Sequence, residues 1–437
     1  MMAAAGAQRH ERMNPLNNRT EILPNVFLTC VRSTKFKTGC LSISLLRPLR
    51  RQEASANALI PTVLLRGCRE YPDIRSISAF LDQHYGASVG TLVRKKGEVQ
   101  TTGFYADFLE DRFAWDGGEV LAPVIAFLGQ LLLEPLLEDG GFVRAFVEGE
   151  KQNLANTIEA RVNDKRSYVV SQMLRTMCAE EAYGLPRLGE REDVDQLEPK
   201  GLYRHYRHIL EHSQVEIFYH GSCSADRVAA LLRQALAALP RGEADPFGTQ
   251  VRLQAEAARE VREPMDVTQG KLAMGLRLGC TAADPEYPAA LLMNAVYGAG
   301  ITSKLFVNVR EKLSLCYYAS SSLEKFKGVM VISSGIEFAQ FQRAKEEILL
   351  QLDLTRRGEI TEEELEAART YLLSSLKTGM DSPARLDDYS IGQVILGVEG
   401  TMAGLAEQLR AVTKEDVAAA ARRTSLDLVY FIEGVQA

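Results

Sequence analysis

Residues 38–46, "TGCLSISLL", alternate apolar and small or polar side chains, and an apolar segment, "ANALIPTVLLRG" (56–67), follows them. A period of two is typical of a strand with one buried face, and the apolar run after it is typical of a buried helix. The same order returns later, where "KLAMGLRLG" (271–279) precedes "YPAALLMNAVYGAG" (287–300). This repeat predicts two α+β halves.

Further segments follow the same order in both halves. A strand pattern at 99–108 precedes a long apolar helix pattern at 121–136, and a strand pattern at 328–336 precedes further helix patterns. Thr361 and Glu364 have the spacing of a capping box, which predicts the start of one of these helices. The alternation predicts mostly antiparallel sheets with helices packed on one face.

Changes in polarity divide the chain into four segments. Residues 1–20 are small and polar and lack the apolar stretch of a secretory signal, so we expect a disordered leader. The polar stretch 240–263 predicts a linker. The two folded halves are therefore expected at 21–239 and 264–437.

The composition argues against several classes of protein. A chain of 437 residues, 46% hydrophobic and 25% charged, is typical of globular proteins with more than one domain. The net charge of −6 argues against a nucleic-acid-binding surface, and no stretch approaches the roughly 18 apolar residues of a membrane span. The seven cysteines form no CxxC pair, which favours free thiols in a reducing compartment and a cytoplasmic protein.

The segment "HYRHILEHSQVEIFYHG" (205–221) holds four of the six histidines in the chain. Within it, His208, Glu211 and His212 read HxxEH, the inverted zinc-peptidase motif, in which two histidines bind the metal and the glutamate activates water. His205 shares their helical face. Glu286 is a candidate for a third ligand.

The surrounding sequence favours another interpretation of these histidines. A strand pattern begins three residues after His212, which places His212 at the end of its helix, where the geometry of a ligand is poorly fixed. Glu286 lies at the start of a helix, where the helix dipole already favours an acidic side chain. We therefore expect a solvated helix face supported by nearby charges. An autonomous zinc peptidase that uses His208, Glu211 and His212 remains the alternative.

Several blocks of sequence are similar to those of one family. The blocks are "LLRGCREYPD" (64–73), "AYGLPRLGEREDVDQLEP" (182–199), "YGAGITSKLFVNVREKLSLCYY" (297–318) and "GEITEEELEAARTYL" (358–372). Together they resemble the insulinase-like, pitrilysin-type (M16) metallopeptidases. The resemblance implies two homologous α+β halves of the LuxS/mitochondrial-processing-peptidase-like metallohydrolase type, which enclose a chamber for peptides.

The resemblance also indicates where the zinc site of the family should lie. Aligned on "LLRGC", the HxxEH motif falls at residues 58–62, where Ala58 and Thr62 replace the histidines and Pro61 replaces the glutamate. The third ligand falls at Thr157, with Glu150 as a supporting acid of the same helix. Zinc requires nitrogen, oxygen or sulfur ligands at about 2 Å, and these residues are poor ligands or none. We therefore expect no zinc in this chain.

The resemblance also indicates a substrate-binding site in the second half of the chain. Active members carry an arginine and a tyrosine that contact the substrate, in a motif that resembles "REKxGLxY". Here "REKLSLCY" gives Arg310 and Tyr317, with Ser314 in place of the glycine. The resemblance implies that Arg310 holds a peptide carbonyl or carboxylate and that Tyr317 donates to the oxyanion. Tyr318 is expected to point to the other sheet face.

Two-subunit members of the family divide these sites between their chains, so the resemblance implies a catalytically silent subunit of a heterodimeric M16-type zinc peptidase. Its expected partner is an HxxEH-bearing M16 paralogue, which would hold the zinc, and its expected substrate is a peptide. We expect no nucleic-acid partner and no association with a membrane. A scaffold or peptide-binding protein without a role in hydrolysis is the alternative from another functional class.

Overall fold

The computed structural model describes residues 18–434. In the first half, a six-stranded sheet has the order β1-β2-β8-β3-β5-β4. Its strands are β1 (Arg19–Leu23), β2 (Val26–Arg32), β3 (Thr38–Pro48), β4 (Ser88–Lys96), β5 (Val99–Leu109) and β8 (Gln214–Gly221). All neighbours pair antiparallel except β2 and β8, which pair parallel. A short ribbon is formed by β6 (Leu137–Glu138) and β7 (Gly141–Phe142).

A five-stranded sheet in the second half has the order β11-β12-β10-β13-β9. Its strands are β9 (Arg259–Met265), β10 (Gly270–Arg277), β11 (Cys316–Glu324), β12 (Val329–Ile336) and β13 (Ser425–Gly434). The pairing is antiparallel except between β13 and β9. The structure therefore confirms the α+β class and the mostly antiparallel sheets.

Helices pack on one face of each sheet and bury its alternating apolar residues. The first half contains α1 (Arg51–Leu64), α2 (Ile74–Gln83), α3 (Leu121–Leu133), α4 (Arg144–Glu159), α5 (Lys165–Met177), α6 (Arg191–Asp195), α7 (Pro199–His212) and α8 (Ala225–Ala235). The second contains α9 (Tyr287–Tyr297), α10 (Phe341–Arg356), α11 (Glu362–Met380), α12 (Pro383–Leu396), α13 (Met402–Ala411) and α14 (Lys414–Arg423). The predicted capping box of Thr361 and Glu364 starts α11. None of the helices within 18–434 is both long and apolar enough to cross a membrane.

The second face of each sheet is covered by a helix from the other half. Helix α5 packs on β10 and β13, where Met173 lies in a cluster with Ala273 and Tyr430. Helix α12 packs on the first sheet, and the Asp387 carboxylate accepts from the Ser42 hydroxyl at 2.9 Å. Because side chains alternate across a strand, these contacts use the residues that the sheets' own helices leave free. The two halves therefore interlock.

A buried network of charges joins the halves. The Lys327 ammonium lies 2.6 Å from carboxylate oxygens of both Glu98 and Glu181, and the Arg277 guanidinium contacts Glu181 at 2.7 Å and Asp427 at 2.8 Å. Burial raises the pKa of Glu181, but its hydrogen bonds to Arg277 and Lys327 outweigh this effect and hold the pKa below its usual value. These pairs fix the position of the β4–β5 hairpin relative to the second sheet.

Two of the predicted boundaries need correction. Residues 1–17 of the predicted leader (1–20) lie outside the described residues, but residues 19 and 20 belong to β1, where Arg19 forms an ion pair with the buried Glu216 at 2.6 Å. The last residues of the predicted linker (240–263) belong to β9, because its polar sequence still offers backbone groups that pair with β13. The division into halves at 239 and 264 stays a prediction.

Candidate functional site

Three of the predicted zinc positions lie on α1. Ala58 and Pro61 are buried, and the Thr62 hydroxyl donates to a main-chain carbonyl of its own helix at 2.8 Å. Proline inside a helix has no N–H for the carbonyl four residues earlier, which here belongs to Asn57. The Thr102 hydroxyl donates to that carbonyl at 2.7 Å. Thr102 of β5 therefore satisfies the carbonyl that Pro61 leaves without a helical partner.

The fourth predicted zinc position, Thr157, lies on α4, which packs against α1. Its exposed hydroxyl donates to the carbonyl of Asn153 at 2.8 Å. Glu150 of the same helix forms an ion pair with Arg66, which follows α1, at 3.3 Å. The structure thus places the predicted positions on two helices in contact. Their assignment as former ligand positions stays a prediction.

His205 lies on α7, and its Nε2 donates to the Asn57 side-chain oxygen at 2.8 Å. Burial lowers the pKa of His205 to about 4. The nearby Glu53 carboxylate opposes the shift, and the Arg47 guanidinium adds to it. The ring is therefore neutral at neutral pH. His205 is half-buried because α7 packs against α1. The predicted solvated face of α7 therefore does not include His205.

His208 and His212 contact the chain segment that follows α8. His208 Nε2 lies 3.6 Å from the Asp245 carboxylate, and His212 Nδ1 donates to the carbonyl of Glu243 at 2.9 Å. The two rings have centroids 4.5 Å apart. His212 is the last residue of α7, as its sequence context predicts. These contacts give the histidines a role in holding residues 243–245 against the helix.

The other two residues of the alternative metal site are Glu211, which lies next to His212 on α7, and Glu286. Glu211 is exposed, and its carboxylate is 3.9 Å from His212. Glu286 belongs to the second half, where it pairs with Arg423 at 3.1 Å. Within residues 18–434, no group of three or more His, Cys, Asp or Glu side chains has a geometry that could hold a metal ion.

Arg310 lies in a π-helical segment, Leu305–Lys312, that precedes β11. Its guanidinium stacks over the Phe306 ring, with 4.6 Å between the guanidinium carbon and the ring centroid. Its Nε is 3.6 Å from the carboxylate of the neighbouring Glu311, and the side chain is 40% exposed. π-Helical segments are frequent at functional sites. The guanidinium is therefore supported from one side and accessible to a ligand from the other.

A tight turn and a β-bulge place Tyr317 near the start of β11. Ser314 has a φ of 49°, in the left-handed region that glycine adopts most easily. In β11, Cys316 pairs with Ile336 and Tyr318 pairs with Gly335, so Tyr317 is the additional residue of a bulge. Tyr317 is 61% exposed, and it does not pack in the core.

Tyr318 contacts the first half of the chain. The guanidinium of Arg166, on α5, stacks over the Tyr318 ring at 4.2 Å and donates to the Ser320 hydroxyl at 3.4 Å. Sequence analysis did not identify Arg166, because no local pattern connects α5 with a strand so much later in the chain. Arg166 fixes the start of α5 against the strand that carries Tyr317.

Comparison with known sequences gives one family. Residues 196–372 match the sequence model of the Peptidase M16 inactive domain. YmfF of Bacillus subtilis (strain 168), named a "probable inactive metalloprotease", is 30% identical over 413 residues, which cover 93% of this chain and 95% of YmfF. These matches confirm the resemblance drawn from the sequence blocks.

Solved structures share the fold over nearly the whole chain. A conserved protein from Enterococcus faecalis V583 has a TM-score of 0.88 and 26% sequence identity, covering 96% of this chain and 99% of its own. A peptidase M16 inactive domain from Pseudomonas fluorescens has a TM-score of 0.77 and 16% identity, covering 94% and 97%. The second likeness concerns the fold alone.

Proposed function

We propose that this chain, which belongs to the M16 peptidase family as an inactive, metalloprotease-like member, is the non-zinc subunit of a two-subunit zinc peptidase. The observation that carries the proposal is the exposure of Arg310 and Tyr317, taken together with a sequence at residues 58–62 that offers no good zinc ligand. The partner would be an HxxEH-bearing paralogue, whose zinc activates water for hydrolysis. The free thiols of the seven cysteines support a reducing compartment, and we place the pair in the cytoplasm.

In this proposal, Arg310 and Tyr317 act on a peptide bound between the subunits. Arg310 would hold a carbonyl or carboxylate of the peptide with its fork of N–H donors. The Tyr317 hydroxyl would donate to the oxyanion that develops when the partner's water attacks the scissile carbonyl. β11 is an edge strand; its Ser321 N–H donates to the Gly298 carbonyl at 2.9 Å, and a peptide that adds as a further strand would use the remaining backbone groups of this edge.

The test is the peptidase activity of the assembled pair with Arg310→Ala in this chain. We expect a loss of roughly 10²-fold or more in kcat/KM with unchanged assembly, measured by size-exclusion chromatography, because one preorganised charged contact is removed. Tyr317→Phe removes only the hydroxyl, and we expect it to lower kcat more than it raises KM.

Arg357→Ala is the matched control. Arg357 is also an exposed arginine of the second half, and it lies 3.9 Å from Glu359, much as Arg310 lies near Glu311. We expect the control to retain full activity. If the Arg310→Ala pair assembles and cleaves peptides at the wild-type rate, the chain is a scaffold or a peptide-binding protein, and the proposed role in hydrolysis is wrong.

A further inference from the structure

A cavity of about 500 Å³ opens between the end of α4 and the start of α5. Its walls are residues 158–164, one face of α5 and the loop 183–190, and Lys95 of β4 closes one side. The volume falls in the range of roughly 300–1,000 Å³ that is typical of small-ligand sites. The lining is mixed, with apolar groups such as Ile158 and Leu174 beside several charges.

The carboxylates in the wall of this cavity already have partners. Glu159 pairs with Arg191 at 3.3 Å, and Glu190 pairs with Arg175 at 3.1 Å. Asp164 caps the start of α5, where it accepts from backbone N–H groups. None of the three is therefore available as the main partner of a further cation.

Arg161 lines the same cavity without such a partner. Within residues 18–434, no carboxylate lies within 4.0 Å of its guanidinium, and its side chain makes no hydrogen bond to the protein. Burial and the charge of Arg187 lower the pKa of Arg161, while the charge of Glu190 raises it. A half-buried guanidinium with unused donors in a cavity is a binding group for an anion.

Lys95 adds positive charge to this cavity. Its ammonium donates to the carbonyls of Tyr183 at 2.8 Å and Leu185 at 3.1 Å, and lies 4.1 Å from the centroid of the Tyr183 ring. Burial lowers the pKa of Lys95 to about 8; the Glu324 carboxylate opposes this shift, and Arg161 adds to it. The carbonyls hold the ammonium in place without neutralising its charge.

The position of the cavity connects it with the proposed peptide site. Its wall begins at Ile158, directly after Thr157, and α5 contacts β11 through Arg166. We infer that the cavity binds a carboxylate of the peptide substrate, with Arg161 as the donor and Lys95 as a supporting charge. This inference rests on the proposed function, since the ligand is the peptide.

A binding experiment with the full chain tests this inference. The probes are a fluorescein-labelled short peptide with a free C-terminal carboxylate, the same peptide amidated, and an amidated peptide with one internal glutamate. Fluorescence anisotropy measures their affinities for the chain alone and in the assembled pair. We expect amidation to weaken binding about tenfold, and Arg161→Gln to weaken binding of the free acid to the same extent. Arg161→Glu should weaken it further, because it reverses the charge.

Arg144→Gln is the control, because Arg144 is an exposed arginine of the same half, 3.8 Å from Glu198. We expect it to bind all three peptides as the wild type does. If the internal glutamate restores the affinity lost on amidation, and Arg161→Gln removes that gain, the carboxylate comes from a side chain and the inference stands. Equal affinities of wild type and Arg161→Gln for every peptide would overturn it.

The activity of the Arg310→Ala pair separates this inference from the proposed function. If Arg310→Ala abolishes cleavage while Arg161→Gln changes no affinity, the carboxylate site is wrong and the proposed function stands. If neither substitution has an effect, both are wrong. Thermal unfolding of Arg161→Gln should match the wild type, since its side chain makes no hydrogen bond or ion pair that the substitution would break.

Discussion

Replacing Lys327 with methionine removes the ammonium that joins the two halves and keeps a side chain of similar length. Glu98 then loses its ion-pair partner at a position that is only 8% exposed, although it still accepts from the backbone N–H of Gln250 at 3.1 Å. Glu181 keeps its contact with Arg277. The uncompensated charge is therefore concentrated on Glu98.

The expected cost follows from this burial. Breaking a buried ion pair by removing one partner costs roughly 3–5 kcal/mol, because the remaining charge stays desolvated. Glu98 retains one hydrogen bond, so we expect Lys327→Met to lower the free energy of unfolding by about 3 kcal/mol. Lys35→Met is the matched control. Lys35 pairs with Asp381 of the other half, but both side chains are 56% exposed, so its loss should cost about 0–1 kcal/mol.

The assay is urea unfolding followed by far-UV circular dichroism, which reports on helices of both halves. The single tryptophan is less useful, because Trp115 is 87% exposed in the folded protein. We expect Lys327→Met to unfold at lower urea concentration. Separate transitions for the two halves would show that the network also couples their unfolding.

A loss for Lys327→Met no larger than that for Lys35→Met would refute this reasoning. A second substitution tests its cause. In the Lys327→Met background, Glu98→Gln removes the orphaned charge, and we expect it to recover about 1 kcal/mol or more. No recovery would mean that the cost arises from packing around Lys327 or from its lost hydrogen bond to the Gln250 carbonyl, and not from the charge on Glu98.

Three further predictions concern the site residues. Ser314→Gly should raise the free energy of unfolding by about 0.5–1 kcal/mol in urea titrations, because glycine adopts the positive φ without a Cβ penalty. Ser314→Ala is the control and should give no gain. A lower free energy of unfolding for Ser314→Gly would contradict the explanation by backbone strain at this position. As the pH falls from 6.5 towards 4, the wild type should lose more stability than His205→Gln. The pKa of His205 is lowered in the folded protein, so in this pH range the unfolded chain takes up a proton and the folded chain does not. We expect a difference of about 1–2 kcal/mol between about pH 7 and about pH 5, and parallel stability curves would show that His205 titrates alike in both states. Elemental analysis of the chain purified alone and without an affinity tag should give less than about 0.1 zinc per chain, whereas about one zinc, lost on changing His208 and His212 to alanine, would establish the alternative metal site.

Local patterns predicted the regular elements of this protein well. The strand predicted at 99–108 is observed at Val99–Leu109, and that at 328–336 is observed at Val329–Ile336. The helix predicted from residue 56 starts earlier, at Arg51, because its first turn is largely exposed and lacks the apolar pattern. Periodicity records burial on one face of an element, so it identifies elements whose faces differ in polarity.

The sequence by itself determined the two α+β halves and the family, since these depend on residue identity and local spacing. Only the tertiary structure decided that α5 and α12 each pack on the sheet of the other half, that β9 is a strand and that Tyr317 lies on a bulge. It also brought Lys95 and Arg161 to one cavity and Lys327 to Glu98. These arrangements depend on contacts between residues far apart in the chain, and such contacts leave no period in the sequence around either partner.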